Sequence, residues 1–312
     1  MTRSLVLLNP RASRLRVHAR RAEVEAALVA ALRRRDGMDP EIVVAASAAE
    51  VPALVADAIR GGATVVVGVG GDGTLREVAA ALAGTDVALG IVPGGTGNIL
   101  AGSLGIPGAM VAAAETLATA RTRAIDLGSV RVEPAGVGDP WDASFLVGAG
   151  IGFDAEVMAS TPDALKRRAG RAAYFARAAL LAARIDTRPY RLELDGDPIA
   201  VEGSIALVAN LAELIPGVLR PRLPVVPDDG LLDVIVVGAR GPVAGVRGLV
   251  DQLVRSELGS RYGGASIRVR ARDVRIAAGP PAAVQVDGDP YPPGALTASV
   301  RPGALRVLVP GA

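Results

Sequence analysis

The stretch VVVGVGGDGTLREVAAAL, residues 65–82, ties the chain most tightly to one kind of fold. Val65–Val69 is a short apolar run with the length of a buried strand. Gly70, Gly71, Asp72, Gly73 and Thr74 follow, and a helical alternation of apolar and polar residues then resumes. Strand, glycine turn and helix make up the repeating unit of a parallel α/β sheet. The flanking sequence repeats the unit, with strands predicted at Leu5–Leu8, Ile42–Val44 and Ala88–Val92. Helices are predicted near 20–34, 51–60, 74–83 and 108–120. Residues 1–128 therefore read as a doubly wound parallel-sheet α/β domain.

Past Asp126 the pattern changes to period two, in RLELDG, VEGSIALVAN, LLDVIVVG, SIRVRA and AVQVDG. Such alternation belongs to antiparallel sheet with one buried face, so residues 129–291 form a second, β-rich sandwich domain. Helical stretches interrupt it near 163–185 and 241–257. The closing segment, 292–312, carries ALRVLVPG, a strand able to return to the first domain.

Composition removes several chemistries. Cysteine is absent and His18 is the only histidine, which excludes disulfides, thiolate metal sites and most Ser-His-Asp catalysis. With aromatics at 3%, a base-stacking surface for nucleic acid is excluded too. Catalysis must use carboxylates, hydroxyls, backbone amides, arginines and hard cations. The uncharged stretch 87–114 is long enough to span a membrane, but Pro93, Gly94, Gly95, Asn98 and Pro107 interrupt it, so it reads as strand, loop and helix of a soluble chain.

Two loops each follow a strand: GGDGT at 70–74 and PGGTGN at 93–98. Gly68, Gly70 and Gly73 match G-x-G-x-x-G, but the next strand ends at Val92-Pro93 without the acid that holds a ribose, and no P-loop lysine follows. One helix and one strand separate the loops, so both should open on the same carboxyl edge of the sheet, where ligands bind. Bare N–H groups at helix starts hold phosphate oxygens. Asp72 would repel a phosphate, so its presence implies a divalent cation, Mg²⁺, bound together with a polyphosphate.

The ordered set of NPRAS (9–13), GGDGTLREVA (70–79), PGGTGN (93–98), IDLG (125–128), GAGIGFDAEV (148–157), PDDGLLDV (227–234) and VQVDGDP (284–290) resembles the diacylglycerol kinase catalytic-domain family of lipid kinases. That family includes bacterial diacylglycerol kinases and sphingosine kinases, with NAD kinases as distant relatives. The resemblance implies an NAD-kinase-like nucleotide-binding domain and an ATP site made by Asn9, Ser47, Gly70, Gly71, Asp72, Gly73, Thr74, Glu77, Gly95, Thr96 and Asn98. It implies a structural Mg²⁺ held by Asp229 with the carbonyls of Val226 and Leu231. It also implies that Asp289 is the general base, standing where the family has glutamate, with Asp72 and Asp126 as the other catalytic carboxylates. Without the resemblance, nothing selects Asp289 over Asp197, because DGDP occurs at 195–198 as well as at 287–290. Ile99 stands where many bacterial members carry an aspartate, and Arg76 where asparagine is frequent.

The expected activity is transfer of the γ-phosphoryl group of ATP to a lipid hydroxyl, diacylglycerol-like or sphingoid-like, with Mg²⁺. The expected partners are ATP, the lipid alcohol and a membrane surface, with no nucleic acid and with a homodimer allowed. The expected location is cytoplasmic, peripherally attached to membrane through segments such as the basic stretch 164–185. Two alternatives stand beside this: a soluble kinase of a non-lipid alcohol such as NAD, and a nucleotide- or lipid-binding regulator without catalysis, which Ile99 and Asp289 would explain.

Overall fold

Valine-rich runs buried on both faces suit a parallel sheet covered by helices. The first part of the chain is built this way in the computed structural model, which describes residues 3–12, 14–15, 18–95, 97–162, 177–178, 180–181, 185–211, 225–238 and 266–311. The elements are β1 (Arg3–Leu8), α1 (His18–Asp36), β2 (Glu41–Val44), α2 (Val51–Arg60), β3 (Ala63–Gly70), α3 (Asp72–Leu82), β4 (Ala88–Pro93), α4 (Ile99–Ser103) and α5 (Met110–Thr116). Strand β1 pairs in parallel with β2 on one side and β3 on the other, and β3 pairs in parallel with β4. Val6, Val67, Val69 and Val92 meet Leu28 and Leu32 of α1 in one apolar core.

The chain divides into two compact units, Met1–Ile125 with Gly303–Ala312 and Asp126–Pro302. The first is closed by the end of the last strand, where Arg306 and Val307 pair in parallel with Ala88 and Leu89 of β4.

The second unit is antiparallel. Its elements are the greater part of β5 (Arg121–Pro134), then β6 (Trp141–Phe145), β7 (Gly148–Gly152), α6 (Phe153–Ser160), β8 (Arg188–Leu194), β9 (Asp197–Gly203), β10 (Ile205–Ala209), β11 (Leu232–Val237), β12 (Ser266–Ala271), β13 (Asp273–Val286) and the first part of β14 (Asp289–Val309). The strands run β12-β11-β10-β7-β13-β14, with β8 and β9 branching from β13 and β5 and β6 from β14. Alternate residues of β8, Tyr190, Leu192 and Leu194, enter its core beside Ile151, Val208, Val284 and Phe145. Of the helical stretch expected near 163–185, only 177–178, 180–181 and 185 are described, and the one near 241–257 lies outside the described residues. No helix among the described residues is long and apolar enough to cross a membrane.

Candidate active site

Strands β1, β3 and β4 end together, and their loops meet backbone to backbone. Gly94 donates its N–H to the carbonyl of Gly70 at 2.7 Å, and Asn9 donates to the carbonyl of Val69 at 3.0 Å. A Cβ on Gly95 would stand 2.6 Å from the Cα of Gly71, and one on Gly94 would stand 3.3 Å from the Cα of Gly70. Side chains are excluded here because the two loops themselves occupy the space.

A methyl group at Gly70 would strike Thr74 at 2.7 Å, so that glycine makes room for the threonine in the first turn of α3. The Thr74 hydroxyl accepts a hydrogen bond from Asn9 Nδ2 at 2.8 Å, which fixes the end of β1 to α3. The first helical hydrogen bond of α3 runs from Leu75 N–H to the Gly71 carbonyl. The N–H groups of Asp72, Gly73 and Thr74 therefore have no acceptor within the helix, and the helix dipole favours an anion beside them. Gly73 is exposed, with open space where its side chain would be.

Asp72 links this loop to the second. Its Oδ1 accepts the N–H of Leu100 at 3.2 Å, and a Cβ on Gly97 would lie 2.8 Å from its Oδ2. Burial pushes the Asp72 carboxyl above its ordinary range, against the backbone N–H bonds that favour its ionised form. The sequence reading assigned this carboxylate to a cation; the structure gives it the amino end of α4 to hold as well. Asn98 takes a left-handed conformation (φ 52°) and folds the loop on itself: its Oδ1 accepts the Gly95 N–H and its Nδ2 donates to the Gly95 carbonyl, both at 2.9 Å. Thr96 lies outside the described residues. Glu77, partly buried, lies 3.5 Å from the Arg76 guanidinium. Ser47 is exposed at the start of a 3₁₀ turn, where its hydroxyl donates to Glu50. A groove of about 590 Å³ lies instead at the amino-terminal ends of β3 and β4, lined by Arg34, Arg35, Asp86 and Arg306 among others; none of the residues singled out from the sequence lines it.

In the second unit one of the candidates, Asp126, is bonded to a buried residue that the sequence did not single out. The buried Asn210 donates from Nδ2 to the carbonyls of Asp126 (2.9 Å) and Leu146 (3.0 Å). Asp126, also buried, accepts the Gly230 N–H on Oδ2 at 2.7 Å and donates its own N–H to the Pro227 carbonyl. The 227–230 turn is thus fastened to β5. Asp229 accepts the Leu231 N–H at 3.1 Å and lies 3.2 Å from the Arg270 guanidinium. It stands on a turn set by Gly230 (φ 72°), with Val226 and Leu231, the other residues expected at a metal, close by in the chain.

Asp287 and Gly288, with φ of 48° and 89°, form the two-residue turn between β13 and β14, and Val286 pairs with Asp289. The Asp287 carboxylate accepts three consecutive backbone N–H groups, those of Leu146, Val147 and Gly148, at 2.8–3.0 Å. Asp289 is exposed immediately beyond. The other DGDP makes the same turn: Asp195 and Gly196 have φ of 52° and 94°, and Asp195 accepts the N–H groups of Arg272 and Asp273. The two copies therefore differ in surroundings rather than conformation. One fastens the chain beside the buried Asn210, the other an exposed strand connection.

A parallel sheet with paired glycine loops at one edge is followed by an antiparallel sandwich unit. The family model for the diacylglycerol kinase catalytic domain matches residues 3–130, and that for the YegS C-terminal NAD kinase beta sandwich-like domain matches residues 147–309. A Pseudomonas fluorescens protein named "Probable lipid kinase YegS-like" is 33% identical over 97% of both chains. A Pseudomonas aeruginosa protein of the same name is 34% identical over 92% of this chain and 90% of its own. The crystal structure of a diacylglycerol kinase from Bacillus anthracis shares the fold, with a TM-score of 0.69 over 99% of this chain and 96% of that one at 20% identity. The chain belongs to the diacylglycerol kinase catalytic-domain family, in its YegS-like form.

Proposed function

We propose that the protein is an ATP- and Mg²⁺-dependent lipid kinase that transfers the γ-phosphoryl group to a hydroxyl of a diacylglycerol-like or sphingoid-like lipid. The contact of Gly70 and Gly71 with Gly94 and Gly95 carries this reading, because it sets two amide-rich loops side by side at one sheet edge. In it, the amides of residues 70–74 and 95–98 hold the triphosphate together with the Thr96 hydroxyl, with Asn9, Thr74 and Asn98 shaping the loops and Glu77 and Ser47 at the nucleotide's margins. The relatives' printed names supply the lipid acceptor.

Phosphoryl transfer to an alcohol passes through a loose transition state, so positioning and charge neutralisation do most of the work. Mg²⁺ bound with the triphosphate would supply that neutralisation, and Asp229, Val226 and Leu231 would hold a second, structural ion. Asp289 accepts the proton of the attacking hydroxyl, an effect of about 10²–10⁴-fold. Asp126 acts by holding the 227–230 turn through Gly230. A peripheral membrane encounter follows from the acceptor's insolubility.

Labelled ATP, Mg²⁺ and a panel of lipid alcohols presented in mixed micelles test the reading, with NAD as a soluble acceptor and Asp289→Ala as control. Labelled lipid that vanishes in the variant is the expected result. Label on NAD alone, or ATP bound with no label transferred, would overturn it in favour of a soluble-alcohol kinase or a regulator.

A further inference from the structure

Asp154 and Gln285 make a contact that the reading above does not use. Gln285 lies in β13 directly opposite Gly150 of β7. A Cβ on Gly150 would stand 2.6 Å from Asp154 Oδ2, 3.0 Å from Gln285 Nε2 and 2.5 Å from a Leu207 methyl. The missing side chain of Gly150 is thus the space in which the Asp154 carboxylate, from the first turn of α6, meets the Gln285 amide. Gln285 Nε2 donates to Asp154 Oδ2 at 3.1 Å, and on its other side Gln285 Oε1 accepts the N–H of Gly288 at 2.9 Å.

The order of these bonds is fixed by chemistry. A backbone N–H can only donate, so the Gln285 oxygen must face Gly288. Its NH₂ group must then face Asp154, whose oxygen must accept. Gly288 is the second residue of the β13–β14 turn, and Asp289 is the next residue. We propose that Asp154 and Gln285 are positioning residues for Asp289, acting in series through the Gly288 N–H. The role assigned to Asp289 rests on the function proposed above.

The surroundings agree with a fixed acceptor. Asp154 Oδ1 is buried with no hydrogen-bond partner, while Oδ2 accepts from Gln285, and the Ala155 backbone N–H also favours the ionised carboxylate. Burial raises its carboxyl to about 6, which leaves it ionised and accepting at neutral pH. Among the described residues, the charged and titratable groups facing it are Glu156 on its own helix and Tyr190 on β8. Arg188 is paired with Glu156 at 2.9 Å, and the Tyr190 hydroxyl donates to the Ile151 carbonyl at 3.1 Å. Neither partner competes with Gln285.

The test has two arms on the full chain. In the first, hydrogen exchange of the Gly288 amide is followed by NMR. Gln285→Met, close in volume, and Asp154→Ala should each speed it about tenfold, the worth of one hydrogen bond. Asp154 does not touch Gly288, so unchanged exchange in Asp154→Ala overturns the relay; should that variant fail to fold, slow exchange in Gln285→Met does the same. In the second arm, each single variant should lower kcat about tenfold with KM for ATP within about twofold, and Asp154→Asn, which keeps an acceptor oxygen, should recover most of the loss. The double variant should be no worse than the worse single one; multiplied losses overturn action in series. If Asp289→Ala keeps wild-type activity, it is the base reading that fails, and the Gly288 exchange rates still decide the relay.

Discussion

Asp72 Oδ1 accepts the backbone N–H of Leu100 at 3.2 Å, so a side chain of the first glycine loop caps the helix that follows the second. The clamp has a stability consequence separate from any role with a cation. Replacing a capping carboxylate by alanine typically costs about 1–2 kcal/mol. Asp72→Ala should therefore melt earlier than wild type in EDTA with no nucleotide present, and Asp72→Asn, which retains an acceptor, should fall between them. Equal melting of all three under those conditions would mean that the carboxylate acts on a bound ion only.

Gly95 faces the Gly71 Cα at a distance no real Cβ tolerates, and the obstacle is backbone rather than a movable side chain. Gly95→Ala must push the loops apart, so it should destabilise the protein by about 2 kcal/mol or more, as overpacked sites do. ATP binding measured by calorimetry should weaken at least tenfold. Gly108→Ala, with nothing within 4 Å of the new methyl, is the matched control. Equal effects at the two positions would show that chain entropy and not loop contact is at stake.

Asp287 and Asp289, two residues apart, should fail in opposite ways. Asp287 accepts three backbone N–H groups, and leaving them unpaired should cost about 2–4 kcal/mol. Asp289 is exposed, so its alanine variant should unfold within about 0.5 kcal/mol of wild type yet lose about 10²-fold or more in kcat. Asp195→Ala, in the duplicate turn, should lose some stability and leave kcat intact. Denaturant melts and kinetics on the three variants separate these outcomes; a large kcat loss for Asp195→Ala would show that the wrong DGDP has been assigned.

Much of the first unit could be read from residues 1–128 because its information is local. The apolar runs at 65–69 and 88–92 became β3 and β4, and the glycines between strand and helix marked loops at one sheet edge. The identity of what those glycines face was not legible: Gly95 packs on Gly71, a partner given by strand order rather than by the sequence near either. The second unit gave less away. Asn210 in VANL and Gln285 in VQVDG look like ordinary strand-end polar residues, and their roles arise from bonds to residues more than 60 and 130 positions away, Leu146 and Asp154. The two DGDP turns are locally identical, so no local rule can rank them; they differ only in the depth of what each fastens.

Asp154 gives the chain a pH signature whose sign is set by burial. Its carboxyl rises from the ordinary 3.8 to about 6, because desolvation outweighs its hydrogen bonds from Ala155 and Gln285. Between those values the folded protein holds a proton that the unfolded chain has released, so stability falls as pH rises through this window. Below about 4 both states are protonated and the cost is absent; above about 6 it is fully present, at up to about 3 kcal/mol. Asp154→Asn removes the titration and keeps the acceptor. It should therefore exceed wild type in stability at pH 8 by about 1–3 kcal/mol, with the gap closing at pH 4. Urea melts of both proteins across this range measure the difference directly. A gap that is constant with pH would show that Asp154 is ionised at no cost, and that the buried Oδ1 has found a partner in solution.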